Sequence, residues 1–288
     1  CTGNVFGGSQ GDVDITAPHW VSMARSRPST VTINGGTIMS RVFGGSEQGT
    51  IAGNAHVTIN DGIIGKQVTN PVSNEPYYMG GVYGGGYGSH KAELNVTHSN
   101  DSSNVSSQNL AGRIYGNARV DVLGGTILGD VFGGASYAYL GGYGESPNGN
   151  VQVNIGSPAQ ADEGNNNVGT TILGSVFGAN NRSGTPYGNV NVDVYHTAHT
   201  AANTAPATPS GGWTPEALLA NAATQKYAIK EVYGGGNNAS YTPNQAPDRA
   251  IPRNATVHVH YCENTIKDLY GGSNAADIGI DSNTGSAN

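Results

Sequence analysis

One short motif recurs along the chain and constrains its fold more than any other feature. The motif is an aliphatic residue followed by Phe or Tyr and then Gly, and its copies begin at Val5, Val42, Val82, Ile114, Val131, Val176, Val232 and Leu269. All four phenylalanines of the chain occupy its second position. Such self-similarity is typical of repeat architectures, in which each structural unit packs against the next one.

A second motif, Asn-(Ala/Val)-x-Val-x-(Ile/Val), precedes the first in most copies. It begins at Asn54, Asn117, Asn150, Asn189 and Asn254, with looser copies at residues 12–15 and 30–33. Its alternation of apolar and polar residues predicts a strand that buries one face. A Gly-Gly-Thr-Ile element, as at residues 124–127, lies between the two motifs.

Strands this short cannot form an independent sheet, but they bury an apolar face when similar strands stack above and below. The sequence therefore predicts an all-β fold, a single-stranded parallel β-helix (β-solenoid) of about eight coils, with the chain 1–288 as one domain. The recurring Val/Ile and Phe/Tyr residues are expected to point inward and to form continuous columns. A β-sandwich or β-propeller is the alternative, although it needs longer or more evenly spaced strands.

The spacing of the copies is uneven, as short as 17 residues from Ile114 to Val131. It predicts loops of varied length on a constant core, with insertions at 66–81, 135–149 and 195–230. Thr214 and Pro215 form a helix-start signal, so one short helix is expected near 215–225. This helix would cover an apolar strip or, alternatively, act as a lid.

The Asn that begins the second motif is expected to bond its side-chain amide to the next Asn, forming a ladder, and to tolerate a left-handed backbone. A row of ligand contacts is the alternative interpretation. The 45 glycines would supply the tight corners.

Composition excludes several classes of function. The 13 Lys and Arg against 20 Asp and Glu give a net charge of −7 without basic clusters, which argues against nucleic acid as a partner. No run of about 20 apolar residues is present, so no membrane span is predicted. Cys1 and Cys262 fit neither a disulfide framework nor a metal site. Cys1 is either the arbitrary start of a fragment, which we favour, or the lipidated first residue of a lipoprotein.

The outward positions of the second motif offer the best case for catalysis. Their midpoints should form one row made of Asp14, Thr32, Thr58, Asp121, Asn154, Asp193 and His258. Asp121 and Asp193 would then lie two coils apart, about 10 Å, near the carboxyl separation of inverting glycosidases. No Arg or Lys is expected to join them, and a solvated face explains the same pattern. We therefore favour a chain that is not an enzyme and keep these carboxylates as the candidate catalytic pair.

The sequence contains only weak signals for metal and ligand sites. His258 and His260 face the same way on one strand, and the eight His residues do not cluster at metal-ligand spacing. Solvated imidazoles explain them, so no metal or cofactor is predicted apart from an isolated calcium ion in an Asp/Asn-rich loop. Tyr137, Tyr139, Tyr143 and Trp213 are candidates for stacking on sugar rings, with loop packing as the alternative.

The pattern from Val31 to Gly45, Val-x-Ile-x-Gly-Gly-Thr-Ile-x-x-x-Val-Phe-Gly-Gly, resembles Gly-rich right-handed β-helix segments of large bacterial surface or secreted proteins. It is similar to pectate-lyase-like adhesive domains, and the resemblance extends from Val5 to Gly272. It implies a β-helix of a surface or secreted protein and specifies the function poorly. The low charge, the few Lys and the loops rich in Tyr, Asn and Gly favour a stalk or adhesin in an extracellular or cell-surface location, with a glycan or host-surface partner.

The chain begins and ends within the repeat pattern, so we expect a fragment of a longer repeat protein or coils that stack on other copies. A carbohydrate-binding or carbohydrate-active β-helix remains the alternative, because β-helices host lyases as well. The catalytic residues of those lyases have no matching motif here.

Overall fold

A computed structural model describes residues 1, 3–11, 24–74, 76–89, 110–141, 149–159, 169–198, 227–243, 253–260 and 266–276. In these ranges the fold is all-β with almost no helix, which confirms the predicted class at that level. The helix expected near 215–225 lies outside the described residues. No helix in the described ranges combines the length and apolarity that crossing a bilayer requires.

Most of the strands are two to five residues long. They are β1 (Val5–Phe6), β2 (Arg25–Ser26), β3 (Ser29–Ile38), β4 (Arg41–Phe43), β5 (Thr50–Ile51), β6 (Ala55–Ile64), β7 (Lys66–Thr69), β8 (Pro76–Met79), β9 (Gly81–Tyr83), β10 (Ala118–Val122), β11 (Thr126–Ile127), β12 (Asp130–Phe132), β13 (Val151–Ile155), β14 (Thr171–Phe177), β15 (Val190–Val194), β16 (Ile229–Tyr233), β17 (Ala255–Val259) and β18 (Ile266–Tyr270). One 14-stranded sheet contains most of them.

Parallel pairing arranges the repeats in three ladders. The Asn ladder pairs β3, β6, β10, β13, β15 and β17 in that order. The Gly-Gly ladder pairs β1, β4, β9, β12, β14, β16 and β18. The Thr-Ile ladder aligns Ile38, Ile64, Ile127, Ile172, Ile229 and Ile266. Equivalent residues of successive repeats therefore lie opposite one another.

Aliphatic side chains from all three ladders meet in one hydrophobic core. Val120 of the Asn ladder, Ile127 of the Thr-Ile ladder and Val131 of the Gly-Gly ladder are each fully buried. Successive side chains of a strand point to opposite faces, so the alternating motif turns valine inward and polar residues outward.

Five aromatic residues of the first motif, Phe43, Tyr83, Phe132, Phe177 and Tyr233, form a second buried cluster, separate from the aliphatic core. The rings of Phe6, Phe43, Tyr83, Phe132, Phe177, Tyr233 and Tyr270 stack in one column with centroids between 4.6 and 4.9 Å apart. The predicted columns are therefore present. However, the aromatic and aliphatic sets do not share one core, because neighbours such as Val42 and Phe43 project to opposite faces of a strand.

One copy of the first motif does not belong to the Gly-Gly ladder. Val82 pairs directly with Val131, whereas Ile114 bridges Ile51 and Leu140. The prediction that Ile114 begins a coil of its own is therefore wrong, and seven copies, not eight, are in register in the described ranges. Ile114 is fully buried in the same core, but at a different corner of the repeat.

Two predicted insertions contain ordered structure. Within 135–149, Ala135, Ala138 and Leu140 are fully buried in the core, so this segment is partly a piece of the repeat. Within 66–81, β7 and β8 form an antiparallel hairpin, which differs from the parallel pairing of the repeats.

The side-chain amides of the Asn residues that begin the second motif bond to the next Asn, as predicted, and Nδ2 of Asn150 donates to Oδ1 of Asn117 at 3.2 Å. Oδ1 of each accepts the backbone N–H of the next at 2.9 Å, from Asn54 to Asn117, Asn150, Asn189 and Asn254. Among the described non-glycine residues only Asn74 has a positive φ, so the ladder does not use a left-handed backbone. The side chains instead satisfy backbone donors where the chain enters each strand.

Candidate functional site

The outer face of the Asn ladder carries a continuous network of polar side chains. Its register places Thr32, Thr58, Asp121, Asn154, Asp193 and His258 in one row, as predicted, while Asp14 lies outside the described residues. The next outward row contains Thr30, His56, Arg119, Gln152, Asn191 and Thr256. Both rows project from the same face of the strands, so their side chains can bond across the ladder.

Asp121 is the centre of one half of this network. Nε of Arg119 donates to both carboxylate oxygens of Asp121, at 2.8 and 3.0 Å, and Nδ2 of Asn154 donates to Oδ1 at 2.6 Å. Nε2 of His56 lies 2.6 Å from Oδ2. Burial favours the neutral acid, but these hydrogen bonds outweigh it and hold the pKa of Asp121 below its usual value.

The expectation that no Arg or Lys joins the carboxylates is wrong for Asp121. Arg119 lies two residues earlier on β10, and in a strand residues i and i+2 project to the same side. The pairing is therefore local, and the alternation in the sequence already contained the signal for it.

Asp193 is the centre of the other half. Nε2 of Gln152 donates to Oδ2 of Asp193 at 2.6 Å and to Oδ1 of Asn154 at 2.8 Å, which joins the two halves. Nε2 of His260 lies 2.7 Å from the second carboxylate oxygen, Oδ1. Nδ1 of His258 lies 3.2 Å from the same oxygen. Burial again favours the neutral acid, but the contacts with His260, Gln152 and His258 lower the pKa of Asp193.

A cleft of about 480 Å³ opens beside this network. Its lining includes Arg119, Asp121, Gln152, Asn154, Asp193 and Tyr195. Asp121 and Asp193 lie two strands apart, on β10 and β15, which corresponds to about 10 Å. An inverting glycosidase needs one protonated carboxyl with a raised pKa at such a separation. Both pKa values are lowered here, so the pair presents two carboxylates and suits ligand binding better than hydrolysis.

Asp193, His258 and His260 form a group that the sequence analysis did not bring together. One ligand atom of each lies within 4.8 Å of the others, a geometry able to hold a metal ion. The two His residues face the same way, as expected, but Asp193 is 65 residues away from His258 in sequence. The register of β15 with β17 places Asp193 directly opposite His258, and their shared position in the second motif was the available signal.

Tyr137 and Tyr139, the two sugar-stacking candidates among the described residues, do not line this cleft. Tyr137 packs against Tyr87 with ring centroids 5.6 Å apart, and Tyr139 packs against Tyr187 at 5.8 Å. Tyr143 and Trp213 lie outside the described residues. Among the described residues, the aromatic residue that lines the cleft is Tyr195, whose ring stacks on His260 at 4.2 Å. Tyr195 directly follows a motif copy, where the repeat pattern makes no prediction.

Comparison of the chain with known protein families, with curated proteins and with solved structures found no significant match. The function of the chain must therefore be inferred from its own residues.

Proposed function

We propose that the chain forms a single-stranded parallel β-helix and serves as a stalk or adhesive segment outside the cell. The observation that carries the proposal is the column of stacked rings from Phe6 to Tyr270, which continues through every strand of the Gly-Gly ladder. In such a stack each coil contacts only its neighbours, so coils can be added along one axis without a change in cross-section. That property suits a spacer or a display surface.

The surface composition supports a location outside the cell. Charged residues make up 11% of the chain, and outward positions such as Thr30, Thr32 and Thr58 are uncharged. The resemblance of the pattern from Val31 to Gly45 to bacterial surface β-helices agrees with this proposal.

One end of the stack supports a further proposal, that another coil of the same pattern packs on it. Leu269 and Tyr270 are 50% and 44% exposed, whereas Val232 and Tyr233, which pair with them, are 0% and 6% exposed. Within the described ranges β18 pairs on one side only. A further coil, from the same chain or a second copy, would bury this apolar edge.

Native mass spectrometry of the purified chain tests stacking between copies. We expect oligomers of the unchanged chain, which Leu269→Asp abolishes. Val72→Asp alters an apolar residue that is 93% exposed in the β7–β8 hairpin, so it should leave the oligomers intact. A discrete monomer of the unchanged chain at high concentration would contradict stacking between copies.

A glycan array combined with an assay for new reducing ends tests the stalk and adhesin roles. Binding without release of reducing ends supports an adhesive segment, and the absence of both supports a plain stalk. Release of reducing ends would overturn the proposal and identify an enzyme.

We also propose carbohydrate binding in the cleft between Asp121 and Asp193, as the alternative function. Its support is a polar cleft of about 480 Å³ with Arg119 among its donors and Tyr195 at its edge. Sugar hydroxyls pair well with carboxylates and amides, and an aromatic ring favours the apolar face of a sugar. Titration with the glycans that bind on the array tests this role. Asp121→Asn should weaken binding about tenfold or more, as the loss of a charge-assisted hydrogen bond does, while Asp61→Asn, at an exposed site on β6, should not.

A further inference from the structure

We infer that Asp193, His258 and His260 form a binding site for one divalent transition-metal ion, of which Zn²⁺ is the representative. One ligand atom from each of the three residues lies within 4.8 Å of the other two. Zn²⁺ binds nitrogen and oxygen ligands at about 2.0–2.2 Å, so the ligand atoms of a tetrahedral site lie roughly 3–3.5 Å apart. Oδ1 is already 2.7 Å from the His260 nitrogen and 3.2 Å from the His258 nitrogen. Small side-chain rotations would therefore admit the ion.

The surroundings of the three residues hold them in position. Nε2 of Gln152 donates to Oδ2 of Asp193 at 2.6 Å, which orients the carboxylate so that Oδ1 faces the two imidazoles. The ring of Tyr195 stacks on His260 with centroids 4.2 Å apart and planes 14° apart, which restricts that imidazole. Outer contacts of this kind are a regular feature of metal sites, where they fix the orientation of the ligands.

The donor set selects the class of metal. Two imidazole nitrogens and one carboxylate oxygen suit Zn²⁺ and its neighbours in the first transition row, whereas Ca²⁺ prefers six to eight oxygen ligands. Three protein ligands leave a coordination position for water or for an external ligand. Because Asp193 also lines the cleft, a bound ion would lie beside it and share this carboxylate.

Isothermal titration calorimetry of the purified chain without a histidine tag tests the inference. We expect one Zn²⁺ bound per chain and no comparable response to Ca²⁺. His258→Ala and His260→Ala should each weaken Zn²⁺ binding at least about tenfold, since loss even of an outer contact costs 10–100-fold. His56→Ala is the control, because His56 also lies 2.6 Å from a carboxylate but belongs to no described three-residue group.

Visible absorption of the Co²⁺-loaded chain gives a second readout that does not depend on heats of binding. The ligand-field bands should be present in the unchanged chain and in His56→Ala, and they should be lost in His260→Ala. Circular dichroism of each variant separates loss of binding from loss of folding. Equal Zn²⁺ affinity in all variants, or no binding by the unchanged chain, would overturn the inference. Neither result would affect the stalk proposal, which native mass spectrometry tests separately.

Discussion

The rings of Phe132 and Phe177 stack with their centroids 4.9 Å apart and their planes 7° apart. The two residues lie opposite each other in the parallel pairing of β12 with β14. Because strands in a sheet lie about 4.7–4.9 Å apart, side chains of one type in one register position stack at that same spacing. The ring column and the register of the Gly-Gly ladder therefore stabilise each other, since a shift of one residue would place glycine or an aliphatic residue opposite each ring.

Replacing Phe132 with Ala should strongly destabilise the chain. Phe132 is 1% exposed and lies between Tyr83 and Phe177, so truncation leaves a cavity with rings on both sides. Substitutions of this kind lower the free energy of unfolding by about 3–5 kcal/mol. Urea unfolding of the variant and of the unchanged chain would measure the loss. Phe6→Ala should cost clearly less, because Phe6 is less buried and has one stacked neighbour in the described column. Equal losses of unfolding free energy in the two variants would argue against a contribution of the ring column to stability.

Gly133 and Gly271 occupy the same motif position, yet Ala should be tolerated only at Gly271. A Cβ on Gly133 would overlap Cγ1 of Val151 and lie 2.5 Å from the carbonyl oxygen of Gly178. Overpacking of this kind costs about 1–3 kcal/mol or more. Nothing within the single chain lies within 4 Å of a Cβ on Gly271, so at concentrations where the chain is monomeric Gly271→Ala should change the free energy of unfolding by less than about 0.5 kcal/mol. Denaturant unfolding of the two variants provides the comparison.

The repeat and its alternation were enough to predict the stacking of equivalent residues. Asp121, Asn154 and Asp193 could be placed in one row because they share a motif position and strands of one pattern pair in one register. Ile114 was misassigned because its local sequence matches the first motif. Ile114 differs from the other copies because Val82 pairs directly with Val131, which leaves Ile114 outside the Gly-Gly ladder. This long-range pairing cannot be predicted from a local sequence pattern.

The contacts around the two carboxylates were less accessible to sequence reasoning. The positions of Arg119 and Gln152 follow from alternation, but their hydrogen bonds depend on how long side chains bend along and across strands. His260 lies just beyond β17, and its approach to Asp193 depends on the path of the chain after the strand ends. Spacing alone therefore predicts the rows but not the ion pairs within them.

Asp121→Asn should reduce stability at neutral pH and flatten its dependence on acid pH. The folded state lowers the pKa of Asp121, so the carboxylate contributes stability above the unfolded value near 4. This contribution is lost as the pH falls through the lower folded-state pKa. Thermal unfolding between pH 2 and 7 should show the variant less stable than the unchanged chain at pH 7 and equal to it at the acid end. A constant difference across the range would contradict this assignment.

Asp130→Asn should have the opposite effect. Burial raises the pKa of Asp130, with a further contribution from Glu231, although Oδ1 accepts the backbone N–H of Ser175 at 2.9 Å. Ionised Asp130 therefore costs stability once the pH rises through its folded-state pKa. Asn keeps an oxygen acceptor for Ser175 and removes the charge, so the variant should be more stable than the unchanged chain at pH 7. That gain should disappear in the same thermal series below about pH 4.

Tyr83→Phe should remove part of the alkaline sensitivity of the fold. Burial within the ring column raises the pKa of Tyr83 to about 12, although Nδ2 of Asn181 donates to the phenol oxygen at 2.9 Å. Since the unfolded phenol ionises near 10, the stabilising contribution of the neutral ring is complete below pH 10 and is lost as the pH rises to about 12. Phe keeps the stacked ring and cannot ionise, so stability of the variant should fall less steeply between these two pH values. At neutral pH the variant should lose about 1 kcal/mol, because Asn181 gives up its hydrogen bond to the phenol. Urea unfolding at pH 7, 10 and 12 measures both effects, and a parallel alkaline decline in the two proteins would show that ionisation of Tyr83 is not coupled to folding.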